Sequence, residues 1–249
     1  MPADAYDRFM GRYSVHLAPL LADFAGVEAG QRVLDVGCGP GALVAELIGR
    51  VGPASVSAVD PSESFVTAIR ERHPDVEVQK AAAEELPFPD DSFDAALAQL
   101  VVHFMTDPIA GLAEMARVTR NAGTVAACVW DHADGGRGPL NLFWDVARQL
   151  DPDVEGEGLW AGTGEGQLAT LLDSAGLTDV ADTALTFRVQ HESFEDWWEP
   201  YTLGVGPVGV YVAGLDPDHR ERLREGCRAL LPPAPFELEV RAWAARGRP

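Results

Sequence analysis

Over the first half of the chain, short apolar runs, each long enough for one buried strand, alternate with stretches whose apolar residues fall at helical spacing. Val33, Leu34 and Val36 read as a strand, and Ala42 to Ile48 as the helix that follows. SVSAVD at Ser55 to Asp60 reads as a second strand, and Pro61 to His73 as a helix with Ser62 at its N-cap. VEVQKA at Val76 to Ala81 gives a third strand, Phe93 to Phe104 contains a fourth, Pro108 to Thr119 gives a helix and Gly123 to Trp130 a fifth strand. Strands apolar on both faces and separated by helices predict a doubly wound parallel α/β sheet. Upstream, Phe9, Tyr13, Leu17, Leu20, Leu21 and Phe24 are spaced for one or two helices over residues 6–25.

After Trp130 the pattern loosens. DHADGGRG reads as a flexible loop, PLNLFWDVARQL as a helix, and DPDVEGEGLWAGTGEG as a loose acidic stretch. A helix is expected over Gln167 to Ala175, strands over Thr178 to Gln190 and Phe236 to Gly247, and a helix over Pro217 to Leu231. GVGPVGVYVAG at Gly204 to Gly214 suits a lid or a buried irregular strand. With no internal repeat and no composition break that marks a linker, residues 1–249 are expected to form a single domain. Its cap and substrate insertions would lie at about residues 131–164 and 191–235.

Charge narrows the partners. The chain has 39 acidic against 19 basic residues, a net charge of −20, so its field repels nucleic acid and anionic lipid. The arginines near the C-terminus are interleaved with glutamates, as on a solvated helix face. Cys38, Cys128 and Cys227 are far apart and have no metal-ligand spacing, so no metal is expected and a reducing cytoplasmic setting is the simplest one. No run of about 18 apolar residues could span a bilayer, and the acidic N-terminal stretch lacks the features of a signal peptide. Nothing in the residues speaks to oligomeric state.

The most constraining stretch is VLDVGCGPG at Val33 to Gly41, a strand passing into a helix through Gly37, Gly39 and Gly41. A helix start presents free N–H groups and partial positive charge, which suits a phosphate or a carboxylate. Asp60, about 20 residues on, ends the next strand where a carboxylate can accept bonds from ribose hydroxyls. Gly37, Gly39 and Ala42 also satisfy the dinucleotide fingerprint, so an NAD(P)-dependent oxidoreductase is one reading.

The wording of the turn, with Asp35 two positions before Gly37 and a third glycine at Gly41, resembles the first motif of class I S-adenosylmethionine-dependent methyltransferases. VDPS at Val59 to Ser62, AEELPFPDDSFDAAL at Ala83 to Leu97 and LVVHFMTDP at Leu100 to Pro108 resemble three further motifs of that family in order. The likeness covers about residues 30–130 and is nearest to the small-molecule group that includes the ubiquinone and menaquinone methyltransferases. It implies a Rossmann-like, seven-stranded, mostly parallel sheet with an antiparallel last strand, N-terminal helices and helical caps. S-adenosyl-L-methionine is the implied cofactor, and a small organic molecule the implied acceptor. The methionine end would lie over Gly37, Cys38, Gly39 and Gly41, with its ammonium near Asp35 and Gln99 close by, and Asp60 would bind the ribose. Pro61 and Phe65 would border sugar and adenine. The family's adenine-binding aspartate is replaced here by Ala82, leaving adenine to Ala83 and Glu84. Tyr6 and Tyr13 resemble the aromatics of an N-terminal lid.

Methyl transfer from a sulfonium is an in-line displacement that asks the protein to align the partners and exclude water. A base matters only where the acceptor must lose a proton. His103, after the fourth strand, is the expected base, and His132 is a second candidate with a solvated loop position as its plainer reading. Trp160, Trp197, Trp198 and Tyr201 offer aromatic area for an apolar acceptor. A protein that keeps the cradle but does not turn over is the non-enzymatic alternative.

Overall fold

A computed structural model describes residues 3–133 and 135–249; of the DHADGGRG loop, Asp134 lies outside the described residues. The described residues form one seven-stranded sheet in the order β3-β2-β1-β4-β5-β7-β6. The strands are β1 (Val33–Val36), β2 (Val56–Asp60), β3 (Glu77–Lys80), β4 (Phe93–Gln99), β5 (Thr119–Trp130), β6 (Thr178–His191) and β7 (Phe236–Arg248). β1 to β5 are mutually parallel, whereas β7 runs antiparallel to both β5 and β6. The expected mixed sheet is therefore present, and β1 sits at the switch point where the strand order reverses. In open α/β sheets, ligands enter the crevice beyond the strand ends at that point.

Strand alternation explains the two-sided core. Val33 packs with Leu17, Leu21 and Leu97 on one face, while Leu34 and Val36 pack with Leu112 and Met115 on the other. By the same period of two, Asp35 points to the face covered by the N-terminal helix Arg12–Ala25. That helix is preceded by a π-helical turn, Asp7–Gly11, which buries Phe9 and Met10. The helix Pro108–Val118 starts where its sequence says it should: Asp107 accepts from the N–H groups of Ile109 and Ala110, and Pro108 fills the first position, where no donor is needed.

Two expectations need correction. Ser62 occupies the N-cap of helix Glu63–Arg72, but its side chain makes no capping bond there. GVGPVGVYVAG is not a strand, because Gly206–Gly214 is helical, started by Pro207 and buried along Val208 and Val212. Tertiary burial outweighs the low helix propensity of its glycines and valines.

Candidate active site

A cavity of about 350 Å³ opens beyond the carboxyl ends of β1, β2, β4 and β5. Gly37, Gly39, Asp60 and Phe65 line one end. Leu100, Phe104, Trp130, His132 and Glu157 line the other. Phe9 and Met10 close it from the N-terminal turn, and Val205 to Pro207 from the late helix.

The first end is built largely from backbone. Gly37 and Cys38 both donate N–H bonds to Val59 O (2.8 and 2.9 Å), pinning the turn to β2. Gly37 adopts φ +73°, and a Cβ there would lie 2.5 Å from a methyl of Val101, so a side chain fits neither the backbone angle nor the space. Asp60 accepts from Gly39 N (2.9 Å) and Ser62 N (2.8 Å), and burial holds its carboxyl above the usual range. A carboxylate has about four acceptor positions, so each Asp60 oxygen keeps one for a ligand.

Asp35 is the unusual group. It is 1% exposed, neither carboxylate oxygen has a partner, and burial, reinforced by Asp60, pushes its pKa up to about 8. Gln99 donates through Nε2 to Ser14 O (3.1 Å), which leaves its buried Oε1 without a donor. Both groups line a small recess with Gly37, Cys38 and Gly39. Buried polar atoms without partners are rare, and here every one of them in the recess is an acceptor. A cation carrying several N–H donors would satisfy them. Tyr6 lines the recess and the larger cavity and meets Phe65 edge-on (5.7 Å between ring centres).

The second end is apolar, with two histidines in its wall. His103 stacks on Trp160 (5.3 Å, 16°), and burial together with nearby His132 pushes its pKa down to about 3. An imidazole held neutral that strongly is a poor proton acceptor at neutral pH, contrary to the role expected for it. His132 is not a solvated loop residue: it is 3% exposed, and its Nε2 lies 3.1 Å from Glu157 Oε2.

Several expected residues lie elsewhere. Gly41 starts the helix behind the cavity, and Ala83 is buried in the second core. Glu84 accepts from Thr106 N (2.7 Å) and Asp107 N (3.2 Å), so it braces the loop before Pro108. Tyr13 is buried against Trp130. Trp197, Trp198 and Tyr201 are core residues at 1%, 6% and 2% exposure; the Tyr201 ring lies flat on Phe143 (5.0 Å, 4°) and its hydroxyl donates to Pro139 O. The short helix Phe194–Trp198 buries its aromatic face rather than presenting it to a cleft. Trp160 does not line the cavity but backs two residues that do, His103 (stacked, 5.3 Å) and Phe104 (edge-on, 5.3 Å). Sequence reasoning missed Phe9, Met10, Glu157 and Val205; of these, only Phe9 carried a signal, its place in the N-terminal helical spacing.

Comparison with known proteins matches residues 34–127 to a family described as a methyltransferase domain. This segment is similar to methyltransferase domains. It includes the pinned turn, Asp60, Gln99 and most of β5. Over 152 residues the chain is 35% identical to a Mycobacterium tuberculosis protein named a probable S-adenosylmethionine-dependent methyltransferase, covering 60% of this chain and 49% of that one. It is 35% identical over 113 residues to a demethylmenaquinone methyltransferase of Renibacterium salmoninarum, covering 45% and 47%. The chain thus spans about half the length of these curated relatives. The structure of the YcgJ protein of Bacillus subtilis superposes with a TM-score of 0.61 at 20% identity, covering 94% of this chain and 97% of that one, and so shares the fold.

Proposed function

We propose that the protein transfers a methyl group from S-adenosyl-L-methionine to a small organic acceptor by in-line displacement. One observation carries the reading: a recess whose unpartnered groups are all acceptors opens beside a cavity that continues into an apolar chamber at the ends of β4 and β5. The recess fits the amino-acid end of the donor. Asp35 and Gln99 would take its ammonium; the N–H groups of Gly37, Cys38 and Gly39 are engaged with Val59 O and Asp60 and shape the turn rather than hold the carboxylate. Asp60 would hold the ribose hydroxyls, with Pro61, Phe65 and Tyr6 around the sugar and base. When bound, the donor supplies an electrophilic methyl; the chain's own residues align the acceptor and exclude water.

The chamber is small and apolar, which supports a small-molecule acceptor over a macromolecule. The three cysteines are free and buried, in keeping with a reducing cytoplasmic setting. No helix among the described residues is long and apolar enough to cross a membrane. Calorimetric titration tests the reading. S-adenosylmethionine and S-adenosylhomocysteine are expected to bind while NAD gives no heat, and tight NAD binding with no response to the methyl donor would overturn it.

A further inference from the structure

The sheet ends on a strand with a neighbour on one side. Among the described residues β6 pairs with β7 alone, and its 14 residues make it far longer than β3, the opposite edge, which has 4. Hydrogen bonds on β7 decide which β6 groups face the open side. Arg241 N donates to Arg137 O and Arg241 O accepts from Asp131 N, so both main-chain groups of Arg241 face the β5 side. The direction alternates along an antiparallel strand, so Ala242 faces β6, where it stands opposite Leu185. The register is unbroken from Ala181 to His191. The odd-numbered residues of this stretch therefore direct their N–H and C=O groups at β7, while Asp182, Ala184, Thr186, Arg188 and Gln190 turn theirs outward. All five are exposed, and none makes a main-chain bond to another element among the described residues. Long edges are commonly blunted by proline, lysine or a bulge. This stretch has no proline or lysine, and the one irregularity of the β6–β7 pairing lies before it, between Thr178 and Ala181.

The two charges on the edge are self-complementary. A strand laid antiparallel on its own copy pairs residues symmetrically about one centre. With Leu185 at the centre, outward-facing residues meet each other: Asp182 stands opposite the second copy's Arg188, and Ala184 opposite its Thr186. Symmetry makes the charge pair twice. Within its own chain Asp182 has no ion-pair partner among the described residues, and Arg188 has two long, exposed ones, Glu237 (3.7 Å) and Glu239 (4.0 Å). A centre at Thr186 would set Asp182 against Gln190 and Arg188 against Ala184, and one at Ala184 would set Asp182 against Thr186, so either shift parts the charges. On the other face Leu185 meets its own copy and Thr183 meets Phe187. His16 lies 5.7 Å from Phe187 between ring centres, and the adjacent Val15 is 55% exposed, so the N-terminal helix adds apolar surface along the same line.

We propose that β6 is a docking edge for a second copy of this chain, paired antiparallel about Leu185 so that the two sheets become continuous. β6 supplies no residue to the cavity wall, so the proposal stands apart from the methyl-transfer reading.

Sedimentation velocity of the whole protein tests it. At about 100 µM the parent is expected to sediment with twice the chain mass, since edge pairing buries little surface and gives micromolar affinity. Asp182→Arg sets an arginine against Arg188, and Arg188→Asp sets an aspartate against Asp182. Each alone is expected to raise the dissociation constant at least about tenfold, because like charges then face each other at both pairs. Mixed one to one, the two variants are complementary at both pairs and should re-form a dimer, as should the double variant. Thr186→Pro reads the main chain instead: it removes an N–H that faces away from β7, so the internal ladder is kept while the dimer is lost. Far-UV circular dichroism checks that each variant is folded, and the mixing experiment decides alone if Thr186→Pro is not. A parent that stays monomeric at about 100 µM overturns the proposal, whether the edge then stays bare or takes an extended peptide of another protein. A dimer that survives both charge reversal and proline is joined elsewhere and overturns it too, as does a mixture of the single variants that stays monomeric.

Discussion

The two ends of the cavity are built on opposite plans. The donor end comes from one strand-turn-helix and the tip of the neighbouring strand; main-chain N–H bonds fix its shape, and Asp35 and Asp60 supply its acceptors. The acceptor end comes from β4, β5, a turn at Glu157 and the start of a helix at Gly206, and its contacts are side chains. A backbone site can be specified within a few consecutive residues, because glycines and strand pairing set it locally. A side-chain site depends on which distant segments pack together. The two ends should therefore fail in different ways when changed.

The largest effect is expected where the acceptor end turns out to be core. Trp197→Ala should cost about 3–5 kcal/mol of stability by denaturant unfolding, as truncation of a buried tryptophan does. A stable variant with altered acceptor selectivity would return Trp197 to the site. At the donor end, Asp35→Asn should act in two directions. It should weaken S-adenosylmethionine binding by about 2–5 kcal/mol in calorimetry, as loss of one partner of a buried charged pair does. It should also stabilise the free protein by about 1–3 kcal/mol, because an unpaired buried acid is removed. Sign and pH window follow from the pKa of about 8. A carboxyl raised above its unfolded value, near ~4, favours the folded state in full below that value, and this contribution is lost as pH rises to about 8. Thermal melts should show this decline in the free protein, a donor-induced Tm rise that is larger at pH 8 than at pH 6, and a flatter profile in Asp35→Asn.

Asp60→Ala should weaken donor binding by about 1–3 kcal/mol, the range for a lost hydrogen-bonded charged group. Unchanged affinity would remove Asp60 from the ribose. The smallest change in stability is expected at Phe104, 65% exposed at the cavity rim. Phe104→Ala should alter stability by no more than about 0.5 kcal/mol and leave donor affinity alone, while raising the acceptor's KM. An equal change in donor affinity would mean that the two ends are not separable.

The same contrast explains what could be read from the chain. VLDVGCGPG announces its turn because three glycines between an apolar run and a helical one have few other uses, and VDPS places Asp60 by strand length alone. Trp197, Trp198 and Tyr201 misled because an aromatic cluster looks the same in sequence whether it lines a cleft or fills a core; the helix Asn141–Leu150, which supplies Phe143, decides between them. Glu157 was invisible inside an acidic, glycine-rich stretch, since its importance comes from a histidine 25 positions away that only the fold brings to 3.1 Å. The helix at Gly206–Gly214 had one usable sign, Pro207 at its first turn.

The position of β7 between β5 and β6 fixes an order of assembly. β6 is complete in sequence well before β7, yet among the described residues its one neighbour in the sheet is β7, so during synthesis the segment Thr178–His191 has none of these strands to join until Phe236–Arg248 has been made. The loop that carries His132 is fastened through Asp131 to Arg241 and Trp243 of that same last strand. The donor turn thus precedes in the chain the segment Phe236–Arg248, which fastens the acceptor chamber. Domains generally fold as units once their sequence is available. Under the proposed function, the turn and strand tip that would hold the donor are made before the strand that fastens the acceptor chamber.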